Sequence, residues 1–270
     1  MSLPLALHTA RVSKGFKVGF AVLLVALLAG IVLLVLRERE PEPVVQGKRL
    51  GHWLKGYQKG MNPQARAKAD EIIRQTGTNA IPTLLRMLRR RDPELKSWLI
   101  KVMRGQHLVR VNIIPDHDRH YQAALAFAQL GAAGRVAIPA LIRIFDEDIS
   151  PSSRFWSINA LGSIGSSASN AVHFLISATT NSTTEVRLTS ISALAEIRAE
   201  PELTVAALTN VLNDQEFMVR YYAVLALENL GAEAKEAVPA LKRLLNDPDR
   251  SVRQRAAAAL NKIERAAAER

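Results

Sequence analysis

A repeat of about 33 residues constrains this chain of 270 residues more than any other feature of its sequence. Three columns of residues keep that spacing, to within one residue, through the C-terminal half. The first column is Ser153-Arg154, Val186-Arg187, Val219-Arg220 and Val252-Arg253. The other two are Ala126, Ala160, Ala193, Ala226 and Ala259, and Asp148, Asn181, Asp214 and Asp247. Periods of this length are typical of a solenoid, in which each unit buries its apolar face only against its neighbours.

Each unit contains two short helical patterns. In one unit the apolar residues follow helical spacing on a single face, and they are Val219, Tyr222, Ala223, Ala226, Leu227 and Leu230. Gly231 then favours the end of the helix, and Pro239 stands near the start of the next, where a missing N–H costs little. Asp249 follows turn residues and can cap another helix. The pattern predicts an all-α fold of two-helix layers, with the alanine column where helices approach closely.

Residues 213–260, NDQEFMVRYYAVLALENLGAEAKEAVPALKRLLNDPDRSVRQRAAAAL, resemble the HEAT-like repeats first described in phycobilisome lyases. The resemblance extends over residues 119–264, as four units and a final helix, so we assign residues 119–270 to repeats with a terminal capping helix. A degenerate unit at 69–88 shares Gly77 and Pro82 with the pattern. The resemblance implies a HEAT-like α-α superhelix (solenoid).

The same resemblance implies a hydrogen-bonded ladder of recurring Asp and Arg residues along the stack. Carried over to this sequence, its pairs are Asp148 with Arg154, Asp214 with Arg220, and Asp247 with Arg253. Asn181 stands beside Arg187 where an acid is expected, so that rung should be weaker or rearranged. Two turns also depart from the pattern, because Arg198 replaces a glycine and His173 replaces a proline.

The longest apolar run covers residues 18–36 and contains no charged or polar side chain. As a helix it would rise about 28 Å, close to the hydrocarbon thickness of a bilayer. A cleaved signal peptide is the alternative, but no small-residue cleavage site lies near the charged residues 37–40. We therefore predict a basic tail (1–17), a transmembrane helix (18–36) and a short stiff linker (37–46). The short basic N-terminus favours a single-pass protein of a bacterial inner membrane with the repeats outside the cytoplasm.

Basic charge concentrates next to this run. Residues 37–115 carry 17 Lys/Arg against 7 Asp/Glu, whereas residues 116–270 carry 16 against 18. We assign residues 47–118 to a basic capping region, whose side chains either contact anionic lipid headgroups or are simply solvated. Its segment GKRLGHWLKGY resembles one that often follows the membrane span in anchored bacterial HEAT-repeat proteins. Helical spacing there predicts a helix that covers the open end of the solenoid, and a ligand-docking role for Trp53 is the alternative.

Motifs for catalysis or metal binding are scarce. The chain has no cysteine, which excludes thiol catalysis and disulfides. The segment PDHDRHY places His117 and His120 beside Asp116 and Asp118, a set that could ligate a divalent metal, but the two acids also suit the first turn of a helix. HEAT-like deoxyhypusine hydroxylases use repeated His-Glu pairs, and no His-Glu dipeptide occurs here. We predict no cofactor, no metal and no catalytic residue.

A nucleic-acid interface is the second alternative, suggested by Arg86 and the run Arg89, Arg90 and Arg91. These arginines also suit the end of a helix, where the dipole favours positive charge. Because the repeats are near neutral, no nucleic-acid partner is predicted.

A protein partner fits the repeat pattern better. Solvent positions of the second helices form a column of changing chemistry on a fixed frame, namely Arg143, Ser177, Asn210 and Arg243. Varying side chains on a repeated frame are what partner selection requires, although ordinary surface drift gives the same pattern. The sequence therefore predicts a membrane-tethered scaffold for protein–protein interaction, with Arg143, Asn210, Arg243 and Trp53 as candidate contacts. The alternative, from the family resemblance alone, is an accessory subunit of a lyase- or hydroxylase-type enzyme.

Overall fold

The computed structural model describes residues 41–58, 60–91 and 116–269. The chain divides into two units, Met1–Glu42 and Pro43–Arg270, and every element given below belongs to the second. The predicted basic tail (1–17) and transmembrane helix (18–36) lie outside the described residues.

Within the described residues the fold is a series of helix pairs. The α-helices are α1 (Leu50–Leu54), α2 (Pro63–Thr76), α3 (Ile81–Arg89), α4 (Asp116–Leu130), α5 (Ile138–Asp146), α6 (Pro151–Ser163), α7 (Val172–Ala178), α8 (Thr184–Ile197), α9 (Pro201–Val211), α10 (Phe217–Leu230), α11 (Val238–Arg243) and α12 (Arg250–Ala268). Short 3₁₀ helices cover Lys55–Tyr57, Gly77–Ala80, Gly131–Ala137, Gly165–Ala171, Gly231–Ala237 and Leu244–Asn246. The pairs are α2/α3, α4/α5, α6/α7, α8/α9 and α10/α11, and α12 follows them unpaired. The degenerate unit at 69–88 is thus a full pair in the structure.

A hairpin that the sequence analysis did not predict precedes the first pair. Its strands are β1 (Val44–Val45) and β2 (Lys48–Arg49), which are antiparallel. Gln46 and Gly47 join them with φ values of 52° and 71°, the left-handed conformation that a two-residue hairpin turn requires. The all-α prediction therefore holds for the helical body but not for these six residues.

The segment that follows the hairpin closes the first pair as helical spacing suggested. Leu50, Leu54 and Tyr57 are buried in the core. The Tyr57 hydroxyl donates a hydrogen bond to Asp70 Oδ1 at 2.8 Å, and burial together with this carboxylate raises the pKa of Tyr57. Since α1 contacts α2 and α4, it covers apolar surface that would otherwise face water.

The conformation of the turn inside each helix pair depends on the residue that ends the first helix. Gly231 ends α10 with φ 60° and ψ −127°. Residues that have a Cβ adopt this backbone conformation only at a cost in free energy. Arg198 ends α8 instead at φ 51° and ψ 30°, in the ordinary left-handed region. The turn after Arg198 has no 3₁₀ helix and leads directly to Pro201, the first residue of α9. The departure at Arg198 thus changes the form of the turn, while the helix pair is kept.

First helices pack directly on one another, α6 against α4 and α8, and α10 against α8 and α12. The predicted alanine column is buried at every position. A Cβ built on Gly162 of α6 would lie 3.0 Å from the Cα of Ala193 in α8, so neighbouring first helices approach as closely as small residues allow. The buried apolar residues form one cluster from Leu50 to Ile197 and another from Ile191 to Ile263, and both include residues of α8.

One stretch of the described residues, His117–Asp146, is long and apolar enough to cross a membrane by length and composition. It is a pair of helices, because Gly131 follows α4 with φ 49° before α5 begins. Ala126, Phe127 and Leu141 from this stretch are fully buried within the repeat core. Packing inside the body therefore accounts for its apolar composition.

Candidate functional site

The predicted partner-binding column lies on the second helices. Arg143 is on α5, Asn210 on α9 and Arg243 at the end of α11, and all three are exposed, as is Ser177 on α7. The repeat therefore presents them from successive second helices, as the spacing required.

Trp53 does not join this column. It lies on α1, where its indole N–H donates to the Val45 carbonyl oxygen at 3.0 Å and the Lys48 ammonium stands 5.1 Å from the ring centroid. The ring is half-buried against the core. These contacts hold the hairpin against α1, so Trp53 has a structural role in the fold.

A groove runs along the exposed face of α9 and has a volume of about 890 Å³. Its lining residues from α9 recur at helical spacing and are Pro201, Glu202, Val205, Ala206, Thr209 and Asn210. The opposite wall is the 3₁₀ turn Gly231–Ala237, with Ala267 of α12 at one side. One helix face and one turn thus form a surface to which an extended segment could bind.

A second groove, of about 510 Å³, lies between the C-terminal ends of α7 and α9. Polar uncharged residues dominate its lining, including Thr179, Asn181, Asn210 and Gln215. Asn210 lines both grooves. One residue of the predicted column therefore stands where the two concave surfaces meet.

Charge distinguishes the groove beside α9. Among the described residues that line it, the charged ones are Glu202, Glu233, Glu236 and Lys235. The Lys235 ammonium is 4.0 Å from a carboxylate oxygen of Glu236, and both side chains are largely exposed. Such a pair contributes little to stability, because water solvates both charges.

The Asp/Arg ladder runs between successive pairs, which differs from the pairing inferred from the resemblance. Arg220 binds Asp247 through two hydrogen bonds of 2.8 and 2.9 Å, and Arg187 Nε lies 2.9 Å from Asp214 Oδ2. The pairs Asp214–Arg220 and Asp247–Arg253 meet through the main chain instead. In these, Arg220 donates to the Asp214 carbonyl oxygen and Arg253 to that of Asp247. Each inner arginine therefore fixes its own turn and also holds the turn of the next unit.

The Arg220–Asp247 rung is the most buried side-chain ion pair of the ladder. Their side chains are 11 % and 3 % exposed. Burial alone would raise the pKa of Asp247, but hydrogen bonds from Arg220 and from the Asp249 amide outweigh it, so that the pKa is lowered. The same hydrogen bond raises the pKa of Arg220.

The rung that should join Arg154 to the next unit has no carboxylate, because Asn181 occupies the acidic column. Arg154 Nη1 donates to Asp148 Oδ1 within its own turn at 3.3 Å, and its guanidinium carbon is 4.4 Å from the Phe145 ring centroid. Arg154 Nε is buried and has no hydrogen-bond partner among the described residues. The Asp148–Arg154 side-chain pair is present, as inferred, but it links no two units.

The histidine cluster is built into the helix packing. His120 is buried, with Nδ1 2.8 Å from Ser152 Oγ and Nε2 2.9 Å from the Arg90 carbonyl oxygen. His117 is exposed and stacks at a tilt beside Trp156. Across residues 41–58, 60–91 and 116–269, no group of three or more potential metal ligands of the His, Cys, Asp and Glu types occurs.

The basic run has a structural contact as well. Arg89 binds Glu147 through two hydrogen bonds of 3.0 and 3.1 Å, which join α3 to the end of α5. Hydrogen bonds from Arg89 lower the pKa of Glu147. Because its guanidinium binds Glu147, Arg89 is not free to contact the phosphate of a nucleic acid.

Sequence reasoning missed the glutamates of the α9 groove. The available signal was the spacing of residues 201, 202, 205, 206, 209 and 210, which places them on one helix face opposite the buried Val211 and Leu208. A groove also requires a second wall at some distance from this helix face, and that distance depends on how the units stack.

Comparison with known proteins supports the repeat fold. Residues 205–269 match a family model of HEAT repeats. Kap121p bound to Nup53p has 15 % identity and a TM-score of 0.50, with 81 % of this chain covering 25 % of that one. At this identity the likeness shows the fold alone, a HEAT/armadillo-type helical solenoid.

Two further structures are similar with lower scores. The CpcE–CpcF complex of phycocyanin lyase from Nostoc sp. PCC7120 has 24 % identity over 67 % of this chain and 97 % of that one, with a TM-score of 0.47. A designed armadillo repeat protein in complex with the peptide (KR)4 has 18 % identity over 79 % and 99 %, with a TM-score of 0.47. No curated protein sequence matches this chain.

Proposed function

We propose that this chain is a membrane-tethered repeat scaffold that binds a protein partner on its second-helix surface and has no catalysis of its own. The supporting observation is the exposed face of α9, which lies between two grooves that share Asn210. The HEAT/armadillo-type repeat is a fold suited to protein interaction, because a rigid stack of helix pairs presents an extended surface.

Contacts within the stack support a rigid frame. Ladder residues and the alanine column join the first helices and the turns, whereas Arg143, Asn210 and Arg243 take no part in the ladder and are exposed. Side chains on this surface can therefore change without loss of packing. That division of roles is what a selective interaction surface needs.

The tether is proposed from residues 18–36, whose length and composition fit a membrane span. Anchoring would confine the partner search to the membrane surface and raise the effective concentration of a membrane-bound partner. The basic region within 47–118 would contact anionic headgroups at the same surface. A reporter fused after Arg270 should report the side outside the cytoplasm, and a cytoplasmic signal would contradict that orientation.

Site-specific photo-crosslinking in cells tests the surface. A photoreactive residue at position 210 should give discrete protein adducts that a residue at exposed position 185 on α8 does not give. Charge reversal by Arg143→Glu with Arg243→Glu should reduce those adducts while the thermal unfolding midpoint stays unchanged. Identical adducts from both positions, or adducts indifferent to the reversal, would show that the second helices are not the interaction surface.

Filling the groove provides a second test. Ala206 is exposed in the groove, so Ala206→Arg should block occupancy and reduce adduct formation at position 210. The matched control is Ala258→Arg, which adds the same side chain at an exposed position of α12 outside the groove lining. Equal loss in both variants would point to a non-specific charge effect.

A further inference from the structure

The hairpin that precedes the first helix pair has one face packed on the body and one face open to solvent. Val44 and Arg49 are directly paired across the two strands, and directly paired residues of an antiparallel sheet point their side chains to the same face. Val44 is 66 % exposed, and Arg49 is exposed as well. Val45 points to the opposite face, because side chains alternate along a strand, and it packs against the core. The open face therefore combines an apolar side chain with a cation.

The hairpin and α1 carry an excess of positive charge. Residues 41–58 contain three cations, Lys48, Arg49 and Lys55, against the single carboxylate of Glu42. All three cations are exposed, and within the described part of the chain no carboxylate pairs with them. A surface that meets this part of the body must therefore favour positive charge and accept an apolar side chain.

The length of the chain before the hairpin limits its distance from a membrane. Seven residues, 37–43, separate the predicted membrane span (18–36) from Val44. Fully extended, they reach about 23 Å at about 3.3 Å per residue. If the span is inserted, the hairpin is the described element that the chain holds closest to the bilayer surface.

We propose that the hairpin contacts the membrane surface, with Val44 at the boundary of the acyl chains and Lys48, Arg49 and Lys55 on anionic headgroups. The proposal rests on the membrane tether of the proposed function and adds the element that makes the contact. Each basic residue near an anionic surface favours such a contact by about fivefold. Because the tether already confines the hairpin, a few such contacts are enough to hold it there. Contact at this end of the body orients the second-helix surface relative to the bilayer.

Fluorescence quenching in proteoliposomes tests the contact. The chain has no cysteine, so a single introduced cysteine can carry a fluorophore. Full-length Val44→Cys is labelled and reconstituted into vesicles of equal parts phosphatidylcholine and phosphatidylglycerol, with or without a doxyl lipid that quenches fluorophores at the bilayer. The matched control is Leu203→Cys, at a 44 % exposed position of α9. The probe at position 44 should lose most of its fluorescence and the probe at position 203 almost none.

Removal of charge tests the headgroup part of the proposal. In labelled Val44→Cys, the changes Lys48→Gln, Arg49→Gln and Lys55→Gln should lower the ratio of contacting to free hairpin about a hundredfold, at about fivefold per residue. Added salt, or vesicles of phosphatidylcholine alone, should also reduce the quenching. The control variant removes the same charge from exposed positions of the C-terminal units, namely Lys242→Gln, Arg250→Gln and Arg265→Gln, and it should keep the quenching.

Flotation of the unlabelled chain with phosphatidylcholine vesicles separates the tether from the hairpin contact. A chain that does not float has no tether, and the inference then fails together with that part of the proposed function. A chain that floats while the probe at position 44 is not quenched keeps the tether and overturns the hairpin contact. Equal quenching at positions 44 and 203, or equal loss in both triple variants, would replace the hairpin contact by non-specific adsorption of the body.

Discussion

The arginine column is used in different ways at two junctions between successive units, which are called joints below. Arg220 of α10 holds Asp247 with both partners buried, so the ion pair connects one unit to the turn before α12. For Arg154 of α6 the corresponding position of the next turn is Asn181, and Arg154 pairs with Asp148, which is 66 % exposed. Where the acidic column carries Asp247 the arginine joins two units, and where it carries Asn181 the arginine pairs only with the acid of its own turn.

The turns that follow α8 and α10 differ as well. Gly231 takes a conformation that is costly for other residues and leads into a 3₁₀ helix, whereas Arg198 takes the left-handed conformation and donates to the Asn229 carbonyl oxygen. The irregular turn leads into α9, whose exposed face is one wall of the groove, and the regular turn after α10 is the other wall. The comparison teaches that the residue ending a first helix can change the form of a turn next to the groove while the helix pairs stay intact.

Loss of the buried pair should give the largest difference between the two joints. Arg220→Leu leaves the buried Asp247 carboxylate without its cation, which we expect to lower the free energy of unfolding by about 3 kcal/mol. Arg154→Leu should cost about 1 kcal/mol or less, because Asp148 stays in water. Urea unfolding followed by circular dichroism, at a fixed detergent concentration, measures both.

Hydrogen exchange can locate the effect of Arg220→Leu, whose faster exchange should concentrate in α10 and α12. Equal destabilisation by Arg220→Leu and Arg154→Leu would remove the distinction between the joints. So would a uniform increase of exchange over the whole stack.

The turns should show the next largest effect. Gly231→Ala places a Cβ at φ 60° and ψ −127°, and we expect a loss of about 2 kcal/mol. Arg198→Gly should change the free energy of unfolding by less than about 1 kcal/mol. Glycine removes the strain of the left-handed conformation, which stabilises the fold, but it also loses the hydrogen bond and raises the conformational entropy of the unfolded chain, and these effects oppose each other. Thermal unfolding midpoints compare the two, and a larger loss for Arg198→Gly would reverse our assignment of which turn depends on its residue.

Features that depend on nearby residues could be predicted from the sequence. The helix pairs, the buried alanine column and the helix end at Arg198 follow from periodicity and from the residues that end helices. The ladder register could not be predicted, because Arg220 and Asp247 are 27 residues apart and meet only through the stacking of units. Nor could the groove, whose second wall belongs to another unit. Arg220 and Arg253 do hydrogen-bond to Asp214 and Asp247, as the resemblance implied, but they do so through main-chain carbonyl oxygens, and the additional side-chain pair of Arg220 with Asp247 was not foreseen for this reason.

Restoring the missing carboxylate would test whether Asn181 alone separates the two joints. Asn181 Oδ1 already accepts from the Thr183 amide, as Asp214 and Asp247 accept in their own turns, so Asn181→Asp keeps the turn. Arg154 should then bind across the joint, satisfy its buried Nε and stabilise the chain by about 1 kcal/mol. Asn213→Asp is the matched control outside the column, and no stabilisation is expected.

A double-mutant cycle separates a true rung from a general charge effect. Asn181→Asp in the background Arg154→Leu should lose its benefit, because the new carboxylate then has no partner. The same gain with and without Arg154 would show that the column register does not govern this joint.

The smallest effect concerns the pH dependence of the intact joint. Because the pKa of Asp247 is lowered below its ordinary value of 3.8 in the folded chain, its contribution to stability is present above that value and is lost as pH falls through the folded pKa. Between pH 5 and 4 the unfolded chain has only begun to bind this proton, so the loss in that range is roughly a few tenths of a kcal/mol. Asp247→Asn should therefore be less stable than the wild type at pH 7, and the two should converge as pH falls below about 4. Asp148→Asn at the open joint shows the background from the other carboxyl groups, and an equal convergence there would mean that burial of the Arg220 rung has no special part in acid unfolding.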